Sequence, residues 1–133
     1  MTISPARILR ESRTIAVVGL SDNPERYSFI VAAYLKKKGY KIYPVNPMIS
    51  DTLGEKSYPD LLSLPEKPDV VDVFRRPEFV PEVVEQAIRI GAPVVWMQEG
   101  IVNEEAAEKG RKAGLTVVMD RCMMKEHRKL QKK

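Results

Sequence analysis

The sequence is poor in the side chains that most often build metal and redox sites. Its 133 residues include one cysteine, Cys122, and one histidine, His127. A single cysteine cannot form a disulfide within the chain, and this pair is too small for a usual zinc site. We expect Cys122 to be a small buried side chain and His127, in a charged tail, to face solvent. No G-x-S-x-G motif is present, so common catalytic centres are not indicated.

Long apolar runs are also missing. None approaches the roughly 20 residues of a membrane-spanning helix, and residues 1–14 lack the apolar core of a signal peptide. Together with the low cysteine content, this predicts a soluble cytoplasmic protein without a membrane partner. Asparagine and glutamine are scarce, with three residues each, which leans toward a thermophilic source.

Basic charge is concentrated at the end of the chain. The net charge is +4, while residues 121–133 contain six basic side chains and one acid. A basic tail can contact nucleic acid, but aromatic residues do not alternate with the basic ones as a single-strand platform requires. We therefore expect a solvated helix here and no nucleic-acid partner.

Short β-branched runs recur at the spacing of β–α units. Neighbouring runs start 22 to 28 residues apart, and they are almost continuously apolar, as in parallel strands covered on both faces. Glycines 39, 91 and 114 end the helix patterns between them. The five predicted strands span residues 15–19, 42–45, 70–74, 94–97 and 116–119.

This alternation predicts an α/β fold, a single-domain Rossmann-like doubly wound parallel sheet of five to six strands with helices on both faces. We expect the one domain to span residues 1–133, with terminal helices over residues 3–12 and 126–130. Residues 46–69 contain four prolines and predict a loop, a short edge strand near residues 55–58 and a short helix near residues 60–64. Apolar stripes predict two further helices, with Tyr27, Ile30, Val31, Tyr34 and Leu35 on one and Val80, Val83, Val84, Ala87 and Ile88 on the other.

Ligands of such sheets bind beyond the carboxyl ends of the strands. After the first strand, Gly19 permits a tight turn, and amides ahead of the next helix can bind an anion. The dinucleotide fingerprint G-x-G-x-x-G fails, because Ser21 and Pro24 stand at its second and third glycine positions. After the second strand, Asn46 and Pro47 replace the acid that would hold the ribose of NAD. Both features argue against a nicotinamide cofactor.

Arginines follow the third strand at positions 75 and 76. Their planar guanidinium groups suit phosphate, which they can bind through two oxygens at once. Arg26 is a third candidate. Salt bridges to Glu25 or Glu78 are the alternative for all three.

Polar and small residues also follow the fourth strand. Gly100 permits close backbone approach to a ligand, and Gln98 can bind a polar edge. Trp96 and Met97 alternate within the strand, so at least one of them belongs to the core.

With these segments in place, the chain resembles the stand-alone CoA-binding proteins, whose Rossmann-like domain is similar to the CoA-binding domain of the succinyl-CoA synthetase alpha subunit. The resemblance covers about residues 12–128. It is carried by VVGLSDNPERYS (17–28), YPVNP (43–47), VDVFRRPE (71–78), WMQEGIVNEEAA (96–107) and VVMDRC (117–122).

The resemblance implies non-covalent binding of coenzyme A or acyl-CoA at the C-terminal edge of the sheet, with the phosphates on the loop after the first strand. A basic residue often follows Asn-Pro in the family, where this chain has Met48. From the residues and the resemblance together, the expected contacts are Gly19, Leu20, Ser21, Asp22, Asn23, Pro24, Arg26, Tyr27, Asn46, Pro47, Phe74, Arg75, Arg76, Pro77, Met97, Gln98, Gly100 and Ile101.

The synthetase also uses a second domain with a phosphorylated histidine, which we do not find in this sequence. We therefore expect no ligase chemistry and no enzymatic activity, but a carrier, sensor or subunit with a homodimeric or unidentified protein partner. A small NAD(P)-binding oxidoreductase is the alternative. A mixed disulfide between Cys122 and the CoA thiol stays open.

Overall fold

The computed structural model describes residues 3–131, and seven strands form within them. Five belong to one parallel sheet, and the other two form a separate antiparallel hairpin. The strands are β1 (Thr14–Val18), β2 (Lys41–Val45), β3 (Asp51–Thr52), β4 (Glu55–Lys56), β5 (Val70–Val73), β6 (Val94–Met97) and β7 (Thr116–Val118).

The main sheet has the order β2-β1-β5-β6-β7, and each neighbouring pair is parallel. This confirms the predicted Rossmann-like α/β sheet with five strands. The helices are α1 (Pro5–Glu11), α2 (Tyr27–Lys37), α3 (Val80–Ile90), α4 (Glu104–Lys112) and α5 (Met123–Gln131), with 3-10 turns at Leu61–Ser63 and Pro77–Phe79.

Local sequence explains several helix ends. Ser4 Oγ accepts from the Arg7 N–H at 3.2 Å and caps α1. Asn103 Oδ1 accepts from the Ala106 N–H at 2.9 Å and caps α4. Helix α3 ends at Gly91 in the left-handed conformation, with φ +75°, where a side chain would be strained.

Alternate residues of the strands fill two cores, one on each face of the sheet. On one face, Ile15, Val17 and Trp96 pack with residues of α1, α2 and α5. On the other, Val18 and Val95 pack with residues of α3 and α4. Burial on both faces explains why the strand sequences are almost continuously apolar.

The predicted apolar stripe of α2 is partly wrong. Tyr27 and Ile30 are 40% and 44% exposed, whereas the buried residues of this helix are Ser28, Val31, Ala32 and Leu35. Ser28 turns inward because its Oγ accepts a hydrogen bond from the preceding loop. The helix is therefore rotated relative to the face that hydrophobicity alone indicates.

The segment between β2 and β5 also departs from prediction. The expected strand near residues 55–58 is a two-residue strand of the β3–β4 hairpin, and only Tyr58 bridges to Val45 of the main sheet. The expected short helix is a single 3-10 turn, capped by Asp60, whose Oδ1 accepts from the Ser63 N–H at 2.9 Å.

His127 is half-buried, whereas the sequence-based expectation had it facing solvent. Helix α5 begins three residues earlier than predicted, and His127 packs edge-on against Tyr34 and Tyr40, with ring centroids 5.5 and 5.8 Å apart. Its Nδ1 lies 2.8 Å from the Tyr34 hydroxyl. Burial, followed by the nearby Lys38 ammonium, lowers the pKa of the imidazole.

Across residues 3–131, we find no helix that combines the length and the apolar character needed to cross a membrane.

Candidate functional site

The strand order reverses between β1 and β5, because the chain leaves β1 toward β2 on one side and later returns to β5 on the other. Gly19 directly follows β1 with φ +88°, and a Cβ there would lie 2.3 Å from the Phe74 carbonyl oxygen. Its N–H donates to the Val45 carbonyl at 2.9 Å. Glycine lets the three strand ends approach at the reversal of strand order, where open α/β sheets bind ligands.

Short polar side chains order the loop between β1 and α2. Ser21 Oγ accepts from the Asn23 N–H at 3.0 Å, and Asn23 Oδ1 accepts from the Glu25 N–H at 2.9 Å. Ser28 Oγ accepts from the Ser21 N–H at 3.0 Å. Helix α2 begins after Arg26 without a side-chain cap in the described chain, so its first-turn amides can donate to an anion.

Asn46 ties the loop after β2 to the loop after β1. Its Nδ2 donates to the Leu20 carbonyl at 3.0 Å, and its Oδ1 accepts from the Met48 N–H at 2.9 Å. From the β3–β4 hairpin, Thr52 Oγ1 donates to the Ser21 carbonyl at 3.2 Å. The Asn46 amide therefore positions two loops that border the same space.

These loops border an open cleft of about 420 Å³, which we call the α2 cleft. It brings together predicted residues from three separate strand ends, as expected for a site at the reversal point. It is lined by Gly19, Ser21, Asp22, Arg26, Tyr27, Ser28, Asn46, Ile49 and Phe74.

A second cleft of about 350 Å³, the α3 cleft, opens on the opposite face. Pro47 and Arg75 are the predicted residues in its wall. It is lined by Val18, Val45, Pro47, Pro59, Asp60, Leu61, Arg75, Phe79, Glu82, Val83 and Gln86.

The three candidate arginines have no ion-pair partner among the described residues. The expected alternative, a salt bridge to Glu25 or Glu78, does not form. Instead, the Arg75 and Arg76 guanidinium carbons lie 4.4 and 5.5 Å from the centre of the Phe79 ring. Stacking on an aromatic ring orients a guanidinium while leaving its N–H groups available to an anion.

Other predicted residues lie around these clefts without lining them. Asn23, Pro24, Arg76 and Pro77 are exposed on the loops after β1 and β5. Leu20, Met97 and Gln98 are buried to 1% exposure or less, so their side chains face the core. Trp96 is also buried, and its indole N–H donates to the Arg121 carbonyl at 2.8 Å.

The turn after β6 lies apart from both clefts. Gly100 has φ +86°, and its N–H donates to Asp120 Oδ1 at 2.7 Å. The Ile101 N–H donates to the Gln98 carbonyl at 2.9 Å. Gly100 is exposed and Ile101 is half-buried, so this turn forms a separate part of the same sheet edge.

Cys122 lies behind the wall of the α2 cleft. It is 2% exposed, and its Sγ is 2.7 Å from the hydroxyl of Tyr27. Tyr27 also packs edge-on against Phe74, with ring centroids 6.3 Å apart. Burial and the Cys122 contact raise the pKa of the Tyr27 phenol. Tyr27 thus separates the thiol from the cleft.

Several lining residues were not anticipated from sequence. Ile49 completes the α2 cleft, and Phe79 supports the arginines. Phe79 follows the arginine pair by three residues, a spacing that could have suggested it. Gln86 offered no such signal. Its Oε1 accepts a hydrogen bond from the Leu61 N–H at 3.0 Å, and only folding brings these two distant residues together.

Within residues 3–131, no three His, Cys, Asp or Glu side chains cluster so that they could hold a metal ion. The polar groups that line the two clefts include arginines, small hydroxyls and the Asn46 amide, which suit an anionic molecule, together with the carboxylates of Asp22, Asp60 and Glu82.

Comparison with known proteins found a matching family and similar solved structures. A family model described as a CoA binding domain matches residues 13–128, nearly the whole chain. The uncharacterized protein YneT of Bacillus subtilis (strain 168) is 46% identical over 120 residues, which cover 90% of this chain and 89% of that protein.

A solved structure, described as a hypothetical protein from Pyrococcus horikoshii OT3, has a TM-score of 0.92 and 46% identity. The match covers 97% of this chain and 93% of that one. Such a thermophile neighbour accords with the scarcity of asparagine and glutamine.

An ADP-forming acetate–CoA ligase II of Archaeoglobus fulgidus is 32% identical over 111 residues, which cover 82% of this chain. The aligned region is only 16% of that ligase. The similarity to the ligase is thus confined to one region of a much longer protein.

Proposed function

The chain belongs to the CoA-binding domain family, and from this premise we propose that it binds coenzyme A, free or acylated, at the carboxyl edge of the sheet. The observation that carries the proposal is the α2 cleft. It combines an uncapped helix start, a glycine turn and Arg26 in one place. This combination favours the diphosphate of CoA.

The arginines after β5 would supply further positive charge for the phosphates. Arg75 lines the α3 cleft while the adjacent Phe74 lines the α2 cleft, so this strand end borders both spaces. Asp22 also lines the α2 cleft, and its carboxylate would repel phosphate. We therefore place the phosphates toward Arg26 and the start of α2.

We further propose that the protein acts as a carrier, sensor or subunit without ligase chemistry of its own, alone, as a homodimer or with another protein. Support comes from the short aligned region of the ligase relatives, 11% to 27% of their length. The oxidoreductase alternative has less support, since Asn46 donates to the Leu20 carbonyl where an NAD site needs an acid.

Isothermal titration calorimetry with CoA and with NAD tests the binding proposal. We expect CoA to bind more tightly than NAD, and Arg26→Ala to weaken CoA while Arg111→Ala, an exposed arginine on α4, leaves it unchanged. Tighter binding of NAD, or equal CoA affinity in all three proteins, would refute the assignment. Asp22→Asn is expected to strengthen CoA binding because it removes a negative charge from the cleft.

A further inference from the structure

A buried carboxyl group and a buried amide meet between β5 and β6. Asp72 is fully buried in β5, and Gln98, directly after β6, is 1% exposed. Gln98 Nε2 donates to Asp72 Oδ1 at 2.5 Å. The remaining oxygens, Asp72 Oδ2 and Gln98 Oε1, are both buried and have no hydrogen-bond partner among the described residues.

Asp72 Oδ2 and Gln98 Oε1 are both acceptors, and one added proton would allow a hydrogen bond between them. If Asp72 were ionised, both would be buried acceptors without a donor, and the carboxylate would be an unpaired charge. A single proton on the carboxyl group removes the charge and converts one acceptor into a donor. Burial, which outweighs the hydrogen bond from Gln98, raises the pKa of Asp72 to about 8.

The surroundings provide no charge that would stabilise the ionised form. Asp72 lies between Val17 of β1 and Trp96 of β6, and alternation places it on the same face as Val70, under α1, α2 and α5. The titratable side chains that pack into the core on this face are Tyr34, Tyr40 and Cys122. Tyr27 forms a hydrogen bond with Cys122, and His127 forms one with Tyr34.

The charged residues of these helices lie elsewhere. Most are exposed, and the two half-buried ones, Lys36 and Glu126, have partners of their own in Glu55 and Lys129. The pKa of Asp72 is therefore set by its burial and by the hydrogen bond from Gln98, and not by these charged side chains.

We propose that Asp72 and Gln98 form a neutral acid–amide pair, with a proton on Asp72 Oδ2 shared with Gln98 Oε1, and that this pair positions the turn 98–101 at the ligand edge. The Gln98 N–H donates to the Val73 carbonyl at 3.3 Å, and its carbonyl accepts from Ile101. Any shift of Gln98 is therefore passed to the turn. Loss of the proton to solvent leaves a buried charge and removes the hydrogen bond from Asp72 Oδ2 to Gln98 Oε1, while the bond donated by Gln98 Nε2 remains.

The pair predicts a specific dependence of stability on pH. Because the pKa of Asp72 is higher in the folded chain, the folded state holds one more proton than the unfolded state between about pH 4 and pH 8, so stability is lost as pH rises. In equilibrium unfolding, the ratio of the unfolding constants of wild type and Asp72→Asn should rise about tenfold per pH unit across this window.

Asp69→Asn is the matched control. Asp69 stands just before β5, but its Oδ2 accepts from the Arg13 and Thr14 N–H groups at 2.8 and 3.1 Å, which suits a carboxylate. In Asp69→Asn, the free energy of unfolding should change with pH as it does in the wild type. In Asp72→Asn, the part of this pH dependence that comes from protonation of Asp72 should be lost. Equal slopes in wild type and Asp72→Asn would overturn the neutral pair.

If Asp72→Asn does not fold, the wild-type protein still decides the question. The carboxyl ¹³C resonance of Asp72 should show a protonated acid at about pH 6 and titrate near 8. A resonance that is already that of a carboxylate at this pH would overturn the proposal.

The effect of the turn on ligand binding rests on the proposed function, and it is tested separately by measuring CoA affinity against pH. The coupling requires that CoA, whose phosphates we place in the α2 cleft, extends along the sheet edge to the turn 98–101. CoA affinity of the wild type should then fall about tenfold between about pH 6 and pH 9, beyond any change in Asp72→Asn, because the turn is correctly placed only when Asp72 holds its proton. The same pH dependence in both proteins would overturn this coupling. Absence of CoA binding at every pH would instead remove the proposed function, while the unfolding experiment would still decide the protonation.

Discussion

Substitution of Gly19 by alanine should show whether the close approach of β1 and β5 creates the α2 cleft. Gly19 has φ +88°, and an alanine Cβ would lie 2.3 Å from the Phe74 carbonyl oxygen and 3.0 Å from the Phe74 carbonyl carbon. The left-handed backbone costs a residue with a Cβ about 1–2 kcal/mol. Because the clashing atom belongs to the backbone, relief requires a shift of the chain, which adds about 1–3 kcal/mol.

Gly114 is a matched control for the first of these costs. It has φ +93°, but a Cβ there meets nothing within 4 Å. Gly114→Ala should therefore lower the free energy of unfolding by about 1–2 kcal/mol, the backbone cost alone. Gly19→Ala should lower it by about 2–5 kcal/mol, the sum of the two costs.

Urea denaturation of both variants measures these losses, and CoA titration shows whether the site is affected. We expect Gly19→Ala to weaken CoA binding, because Phe74 must move and Phe74 lines the α2 cleft. Gly114→Ala should bind CoA as the wild type does. Equal losses of stability in the two variants, or unchanged CoA affinity in Gly19→Ala, would refute the close-approach argument.

Three further predictions use single contacts. Arg75→Ala should weaken CoA by about 1.5–3 kcal/mol in calorimetry, the scale of a hydrogen bond to a charged group, and an effect no larger than that of Arg111→Ala would assign Arg75 a purely structural role. The lowered pKa of His127 means that the unfolded chain binds a proton more readily, so stability is present above the ordinary pKa of 6.5 and is lost as pH falls below it. The unfolding free energy of His127→Phe should lack this acid loss, and an identical pH profile would contradict it. Tyr27→Ala should speed alkylation of Cys122 in the folded protein while Tyr27→Phe should not, and equal alkylation rates in Tyr27→Ala and the wild type would refute the shielding of the thiol by Tyr27.

The local signals in the sequence were sufficient for the architecture. β-Branched runs with a spacing of 22 to 28 residues predicted the five strands of the sheet within a residue at each end. This works because strand and helix patterns depend on neighbouring residues along the chain. The segments around Gly19, Asn46 and Arg75 were identified because a parallel sheet brings all its carboxyl strand ends to one edge.

Which way individual side chains face was decided only by the tertiary structure. Gln98 follows a strand at the carboxyl edge of the sheet, yet it is buried because Asp72 on the neighbouring strand accepts its hydrogen bond. His127 lies in a charged helix, yet two tyrosines distant in sequence pack against it. Sequence periodicity records the average polarity of a face, whereas these positions depend on single partners that only the folded chain brings within hydrogen-bond distance.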